Sequence, residues 1–230
     1  MRFNEPLIPA EFISRPNRFL GKVRIGQDQT ECFIPNPGRM GELLLPHARV
    51  YLTPRSPENR KTAYDLSLVD LNGTLISVDS RVPNRIASEA IEHGMIPEFS
   101  GLSVEKAEYT YNDSRLDFLL KGKGTQLLLE VKSCTLVRGG TALFPDAPTK
   151  RGSRHLRTLM GGLAHGRAAI LFIIQRPDAE SFRPNEATDP TFAETLREAS
   201  NLGVEVYAYK TDVSIESIAL NQSVQVMLYS

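Results

Sequence analysis

The chain has 230 residues, 41% apolar and 23% charged, with 27 basic residues against 27 acidic ones. That composition excludes a disordered chain and a fibrous repeat, and zero net charge excludes binding to a polyanion through bulk charge alone. The longest apolar run, residues 168–174, falls well short of the ~20 residues a membrane-spanning helix needs. The opening residues lack the apolar stretch of a signal peptide, so a cytosolic protein with no membrane contact is expected.

The first 80 residues read as all-β. Short strand-like pieces at 19–25, 30–34, 50–53, 65–70 and 74–78 are separated by Pro and Gly breaks. Asp70-Leu71-Asn72-Gly73-Thr74 reads as a hairpin turn, because Asn-Gly tolerates the positive φ angles of a type I′ turn. So many short strands in this length predict a small closed or half-closed barrel. The pattern then changes. Asn84 as N-cap and Gly94 as C′ residue predict a helix with Ile86, Ala90 and His93 on one side. Three strands follow, at 104–111, 115–120 and 125–133, the last two joined by Lys121-Gly122-Lys123-Gly124. Ser153 opens a second helix whose Leu156, Leu159, Met160 and Leu163 form an amphipathic stripe. The apolar run 168–174 suits a strand buried on both faces. A third helix from Asp189 or Thr191 to near Gly203 and a strand at 204–210 complete the order. Late strands with helical crossovers beside an antiparallel meander predict a mixed α/β sheet.

The two cysteines, Cys32 and Cys134, have no Cys or His partner at metal-ligand spacing and are expected to be free thiols. Chemistry concentrates elsewhere. Glu130 and Lys132 are two apart in a strand, so both point to one sheet face, while Leu127, Leu129 and Val131 point to the other. With a turn at Gly122 and Gly124, Asp117 falls opposite Glu130. Two converging carboxylates repel unless a divalent cation lies between them, and hard oxygen ligands suit Mg²⁺, with Mn²⁺ as the alternative. Asp117 and Glu130 are thus the expected metal ligands, with Lys132 to orient a water or neutralise a phosphate. Glu89 on the first helix offers a third carboxylate for the outer shell. The bland alternative is a surface hairpin with one salt bridge, worth about 0–1 kcal/mol.

Charge along the chain is uneven. Residues 138–167 hold six Lys/Arg and one acid, while 178–205 hold seven acids and two Arg. Within the first segment Lys150, Arg151, Arg154 and Arg157 lie on the entry to the second helix, whose N-terminus itself favours anions, so they are candidate phosphate contacts. A solvated helix face is the alternative. Arg39, in Asn36-Pro37-Gly38-Arg39-Met40-Gly41, is either part of a tight turn or a cation held out towards a phosphate. His155 and His165 are assigned surface or capping roles.

The motifs Phe33-Ile34-Pro35-Asn36-Pro37-Gly38-Arg39-Met40, Ser114-Arg115-Leu116-Asp117-Phe118, Leu129-Glu130-Val131-Lys132-Ser133 and Phe144-Pro145-Asp146-Ala147-Pro148-Thr149-Lys150-Arg151-Gly152 resemble the bacterial sugar fermentation stimulation protein A family, over essentially the whole length. The resemblance implies an N-terminal OB-like barrel (residues 1–80) and a C-terminal α/β mixed sheet similar to PD-(D/E)xK nucleases (81–230). It also implies DNA binding without strong sequence preference and a regulatory link to maltose and other sugar utilisation. The nuclease pattern carries to Asp117, Glu130 and Lys132, and its helical acid to Glu89. The strand motif reads Arg115-Leu116-Asp117 where the pattern has Pro-Asp. Two readings follow: a Mg²⁺-dependent nuclease acting on DNA, with RNA as the alternative substrate, or a catalytically silent DNA-binding regulator.

Overall fold

The computed structural model describes residues 1–56, 60–122 and 124–229, so Lys123 of the glycine-rich hairpin connection lies outside the described residues. The first unit consists of β1 (Ile8–Asn17), β2 (Leu20–Ile25), β3 (Asp28–Phe33), β4 (Arg49–Pro54), β5 (Tyr64–Leu71) and β6 (Thr74–Ser77). β1 pairs with β2 and β4, β4 pairs with β5, and β3 closes onto β5 in parallel through Phe33 and Asp65. The result is a five-stranded closed barrel with β6 added beside β5, as the strand spacing led one to expect. Phe12, Ile34, Met40, Leu52 and Leu66 fill it. Asn72 and Gly73 adopt the positive φ of the expected turn, 53° and 89°.

The longest barrel strand, β1, is absent from the sequence reading. Pro9 and Pro16 disguise it, since proline normally argues against a strand with two neighbours. Register shifts on either side of Ser14 take up the irregularity near Pro16, and Ala10 and Phe12 still point inward.

The second unit begins with α1 (Val82–Glu92), then β7 (Ser103–Tyr111), β8 (Ser114–Gly122), β9 (Thr125–Cys134), β10 (Val137–Arg138), β11 (Thr141–Phe144) and α2 (Lys150–Gly162). It ends with β12 (Arg167–Ile174), β13 (Ser181–Pro184), α3 (Pro190–Leu202), β14 (Glu205–Val213), β15 (Ile218–Ser223) and β16 (Gln225–Val226). The main sheet has the order β15-β14-β12-β9-β8-β7. β7 to β9 form the expected antiparallel meander, and β12 runs parallel to both β9 and β14. The apolar run is β12, fully buried because helices cover both sheet faces. Ile86 and Ala90 of α1 pack on one face, and Leu156, Leu159, Phe192 and Leu196 of α2 and α3 on the other. A smaller sheet, β10-β11-β13-β16, was not foreseen, since strands of two to four residues are too short to show periodicity.

Helix ends differ from expectation. α1 starts two residues before Asn84, with Pro83 in its first turn, so Asn84 is inside the helix. His93 is exposed, with its Nδ1 2.7 Å from the Glu89 carbonyl at the helix end, and is not on the apolar face. Thr149, not Ser153, caps α2 by accepting from the Gly152 N–H. Asp189 caps α3 as expected, and its second oxygen accepts from the Thr149 N–H, tying the two helix starts together. Cys32 and Cys134 are free, and burial pushes both thiols up to about 12.

The chain passes from barrel to sheet near residue 80, but residues 1–3 lie against β15, where Phe3 N–H donates to the Glu216 carbonyl. Ser77 Oγ donates to Gln175, whose Nε2 donates to Ser133 Oγ on β9, so a buried polar chain links barrel and sheet. A second link is Asp65 on β5. Its fully buried carboxylate accepts from Arg55, Arg60 and Arg81, the last at the start of α1. Burial opposes its charge, but the guanidinium groups, Arg81 above all, outweigh that and hold the carboxyl below its ordinary value. Asp65→Asn should cost about 2 kcal/mol in urea unfolding at neutral pH, less than a fully buried pair because the arginines are partly solvated. A depressed carboxylate contributes fully above its unfolded pKa of about 3.9 and loses that contribution as pH falls through the folded value. The difference between parent and variant should therefore close in acid.

Candidate active site

The β8–β9 hairpin sets the site. Phe118 pairs with Leu129, so one more step in that register puts Asp117 opposite Glu130. Asp117 Oδ1 accepts from Asn84 Nδ2 at 2.7 Å, and Oδ2 accepts from the Val131 N–H at 2.8 Å. Burial, reinforced by the Glu130 charge, pushes the Asp117 carboxyl above its ordinary value despite those donors.

Glu130 is 3% exposed. Its Oε1 accepts from Lys132 Nζ and from His155 Nδ1, the latter at 2.5 Å. Burial works against its charge, but the His155 hydrogen bond and the Lys132 charge hold the carboxyl below the usual range. Arg151 Nε donates to His155 Nε2 at 3.3 Å. A guanidinium only donates, so Nε2 must accept, and the proton sits on Nδ1, facing Glu130. Glu130 Oε2 is buried and, among the described residues, has no hydrogen-bond partner. An unsatisfied buried oxygen costs about 1–3 kcal/mol, so its persistence needs an explanation.

A divalent cation would supply one. Asp117 and Glu130 are hard oxygen donors, and their mutual repulsion together with the orphaned Oε2 fits Mg²⁺ or Mn²⁺. Among the described residues no group of three or more His, Cys, Asp and Glu is placed to hold a metal. Two carboxylates nevertheless suffice for an ion that keeps several waters and takes phosphate oxygens as ligands.

Asp117, Glu130 and Lys132 line one open cleft of about 480 Å³. The barrel contributes Arg18, Asn36 and Gly38 to its lining, and the start of α2 adds Thr149 and Arg151. A Cβ at Gly38 would lie 2.5 Å from Asp146 Oδ2, so glycine lets the barrel loop sit against the second unit. Arg39 itself is exposed and does not line the cleft, and its carbonyl accepts from Arg15. Lys150, Arg154 and Arg157 are exposed along α2, and among the described residues none has a carboxylate at ion-pair distance.

Glu89 is elsewhere. It is about half exposed, pairs with the Met1 amine at 2.8 Å, and its carboxyl is held low by that hydrogen bond. It lies five residues from Asn84, roughly 140° around the helix, so it cannot face Asp117 while Asn84 does. The helical group touching the site is Asn84. His155 is likewise not a surface or capping residue but is buried at the centre. Its signal was visible: it is four residues before Leu159 and next to Leu156, within the buried stripe of α2. Arg18 carries no such signal.

His155→Leu should weaken divalent-cation binding about 10-fold by calorimetry, and His155→Asn, whose amide nitrogen falls near the Nδ1 position, should restore most of it. Equal loss in both variants would reduce His155 to a packing role.

Comparisons with known proteins place the chain in a family. The sugar fermentation stimulation protein RE domain is matched over residues 81–217, and the SfsA N-terminal OB domain over residues 13–78. A sugar fermentation stimulation protein homolog from Moorella thermoacetica is 52% identical, covering 96% of this chain and 97% of its own. The homolog from Desulforamulus reducens is 44% identical, covering 96% and 93%. Among solved structures, SfsA from Pyrococcus furiosus in complex with Ca²⁺ aligns with TM-score 0.91 at 34% identity, over 99% of this chain and 98% of its own. Among the described residues no helix is long and apolar enough to cross a membrane.

Proposed function

The chain belongs to the sugar fermentation stimulation protein family, and from that premise we propose that it is a cytosolic, largely sequence-nonspecific DNA-binding protein that cleaves phosphodiesters with Mg²⁺ or Mn²⁺. The observation that carries this reading is the buried Glu130 with one oxygen held by Lys132 and His155 and the other left free beside Asp117. A groove that only held DNA would gain nothing from carboxylates facing phosphate. The relative from Pyrococcus furiosus was solved in complex with Ca²⁺, which supports the binding of a hard cation by this fold.

Asp117 and Glu130 would hold the cation, which supplies Lewis-acid polarisation of the scissile phosphate. Asn84 fixes the Asp117 carboxylate, and His155 fixes Glu130 so that Oε2 stays available. Lys132 spends one of its three donors on Glu130 and has two left to orient a water or neutralise charge at the phosphorus. The α2 N-terminus and Arg151, which line the same cleft, would meet a phosphate there.

The test is a panel of labelled single-stranded, duplex and branched DNA, with RNA beside it, in Mg²⁺, Mn²⁺ or EDTA. Cutting in metal and none in EDTA is expected. Binding with no cutting in any metal would overturn the nuclease and leave a regulator that holds DNA, in keeping with the sugar-related name of its relatives. Lys150, Arg151, Arg154 and Arg157 are the proposed backbone grip, with Arg39 at the barrel edge. Arg154→Ala with Arg157→Ala should weaken binding and lower the salt slope by about 1 per lost contact. An unchanged slope removes α2 from the interface.

A further inference from the structure

The barrel presents an aromatic pair, close in sequence to cleft-lining residues, that the chemistry above does not use. Phe19 is 44% exposed at the tip of the β1–β2 hairpin. Its ring stacks on Phe33 with centroids 6.0 Å apart and planes 20° from parallel. The Arg60 guanidinium lies 6.0 Å from the Phe33 ring centroid. An exposed ring stacked near-parallel on a second ring, beside a guanidinium, suits a π-faced ligand.

The pair is held rigidly. Phe19 N–H donates to Asn17 Oδ1, and its carbonyl accepts from the Ile34 N–H, which binds the tip to the end of β3. Arg15 donates to the carbonyls of Arg18, Asn36, Gly38 and Arg39, clamping the tip to the loop that enters the cleft. Glu31, the acid nearest on β3, stands opposite Lys22, so the surroundings are not net negative. The chain also runs from the pair directly into the cleft: Arg18, next to Phe19, and Asn36, three residues after Phe33, line it together with Asp117 and Glu130.

We propose that Phe19 and Phe33 form a base-stacking platform for single-stranded nucleic acid, with Arg18 and Arg60 neutralising its backbone as the strand runs into the Asp117–Glu130 cleft. The inference rests on the nucleic-acid reading above and narrows its substrate to a strand whose bases are unpaired. Duplex bases are stacked on each other and cannot use the platform, whereas base–aromatic stacking tolerates any sequence.

The chain has no tryptophan, so Phe19→Trp introduces one reporter at the platform. In EDTA, with binding separated from cutting, a single-stranded oligodeoxythymidylate should quench its emission saturably, and a blunt duplex should not. By anisotropy, Phe19→Ala and Phe19→Leu should each weaken single-strand binding about 5- to 100-fold, with duplex binding changed by no more than about twofold. Phe19 is half exposed, so neither variant disturbs a core. Unchanged emission while the parent binds single strands, or parental affinity in Phe19→Leu, would overturn the platform and leave the cleft reading standing. A parent that binds and cuts duplex alone would do the same. A parent that binds neither form would overturn both.

Discussion

Lys132→Ala should slow metal-dependent cleavage by about 10³-fold, in line with the removal of one charged group aimed at a transition state. Nucleic-acid affinity in EDTA should stay near the parental value, because the proposed grip lies on α2 and the barrel. The size of the loss follows from what the ammonium does in the folded chain. Its side chain is only 13% exposed, and among the described residues its one partner is the Glu130 oxygen that His155 also holds. A lysine kept only to neutralise Glu130 would be partly redundant with His155. A lysine with two donors pointed at the reacting phosphate is not. Lys132→Arg should fail to rescue, since a planar fork cannot keep the Glu130 contact and reach the phosphate from the same stem. Single-turnover cleavage is the measurement. Parental rates in Lys132→Ala would mean that cutting comes from another group or another protein.

The residues of this cleft differ in how far the sequence reveals them. Asp117, Glu130 and Lys132 are legible because strand periodicity of two and a glycine turn together define which side chains converge, and the structure keeps that register. Asn84 is misread because an asparagine near a helix start satisfies the capping rule, and only Pro83 in the first turn shows that the helix begins earlier. Glu89 is misread for the opposite reason: it borders the apolar stripe, yet a helix turns it away from the sheet once Asn84 faces Asp117. β1 is hidden by its two prolines, and the four-stranded small sheet by the brevity of its strands. Arg18 and Phe19 are legible only from tertiary structure. The place of Arg18 at the cleft, with Phe19 beside it in the chain, depends on how the barrel docks, and that docking uses Asp65, Ser77 and Gly38, whose partners lie outside the barrel.

The same docking leaves Asp117 in an environment with an unusual consequence. Asp117→Asn should weaken Mn²⁺ binding more than about 100-fold and yet raise the stability of the metal-free protein, by about 1 kcal/mol in urea. Burial and the Glu130 charge raise the Asp117 carboxyl, so its ionised form is disfavoured in the folded chain. A carboxyl raised on folding costs stability at neutral pH, and that cost fades as pH falls through the raised value. The substitution removes it at every pH. The hydrogen bonds survive the change. The new side chain keeps an oxygen for the Val131 N–H, and its amide can donate to Asn84 once the Asn84 amide turns over to present its own oxygen. Saturating cation, at ~100 times its dissociation constant, should stabilise the parent by about 2.7 kcal/mol and the variant hardly at all. The two unfolding curves should therefore change order: the variant more stable in EDTA, the parent more stable in Mn²⁺. A variant that gains as much as the parent from Mn²⁺ would remove Asp117 from the cation site and with it the account of why Glu130 keeps a buried oxygen free, and one less stable in EDTA would show that the buried Asp117 charge does not cost the fold.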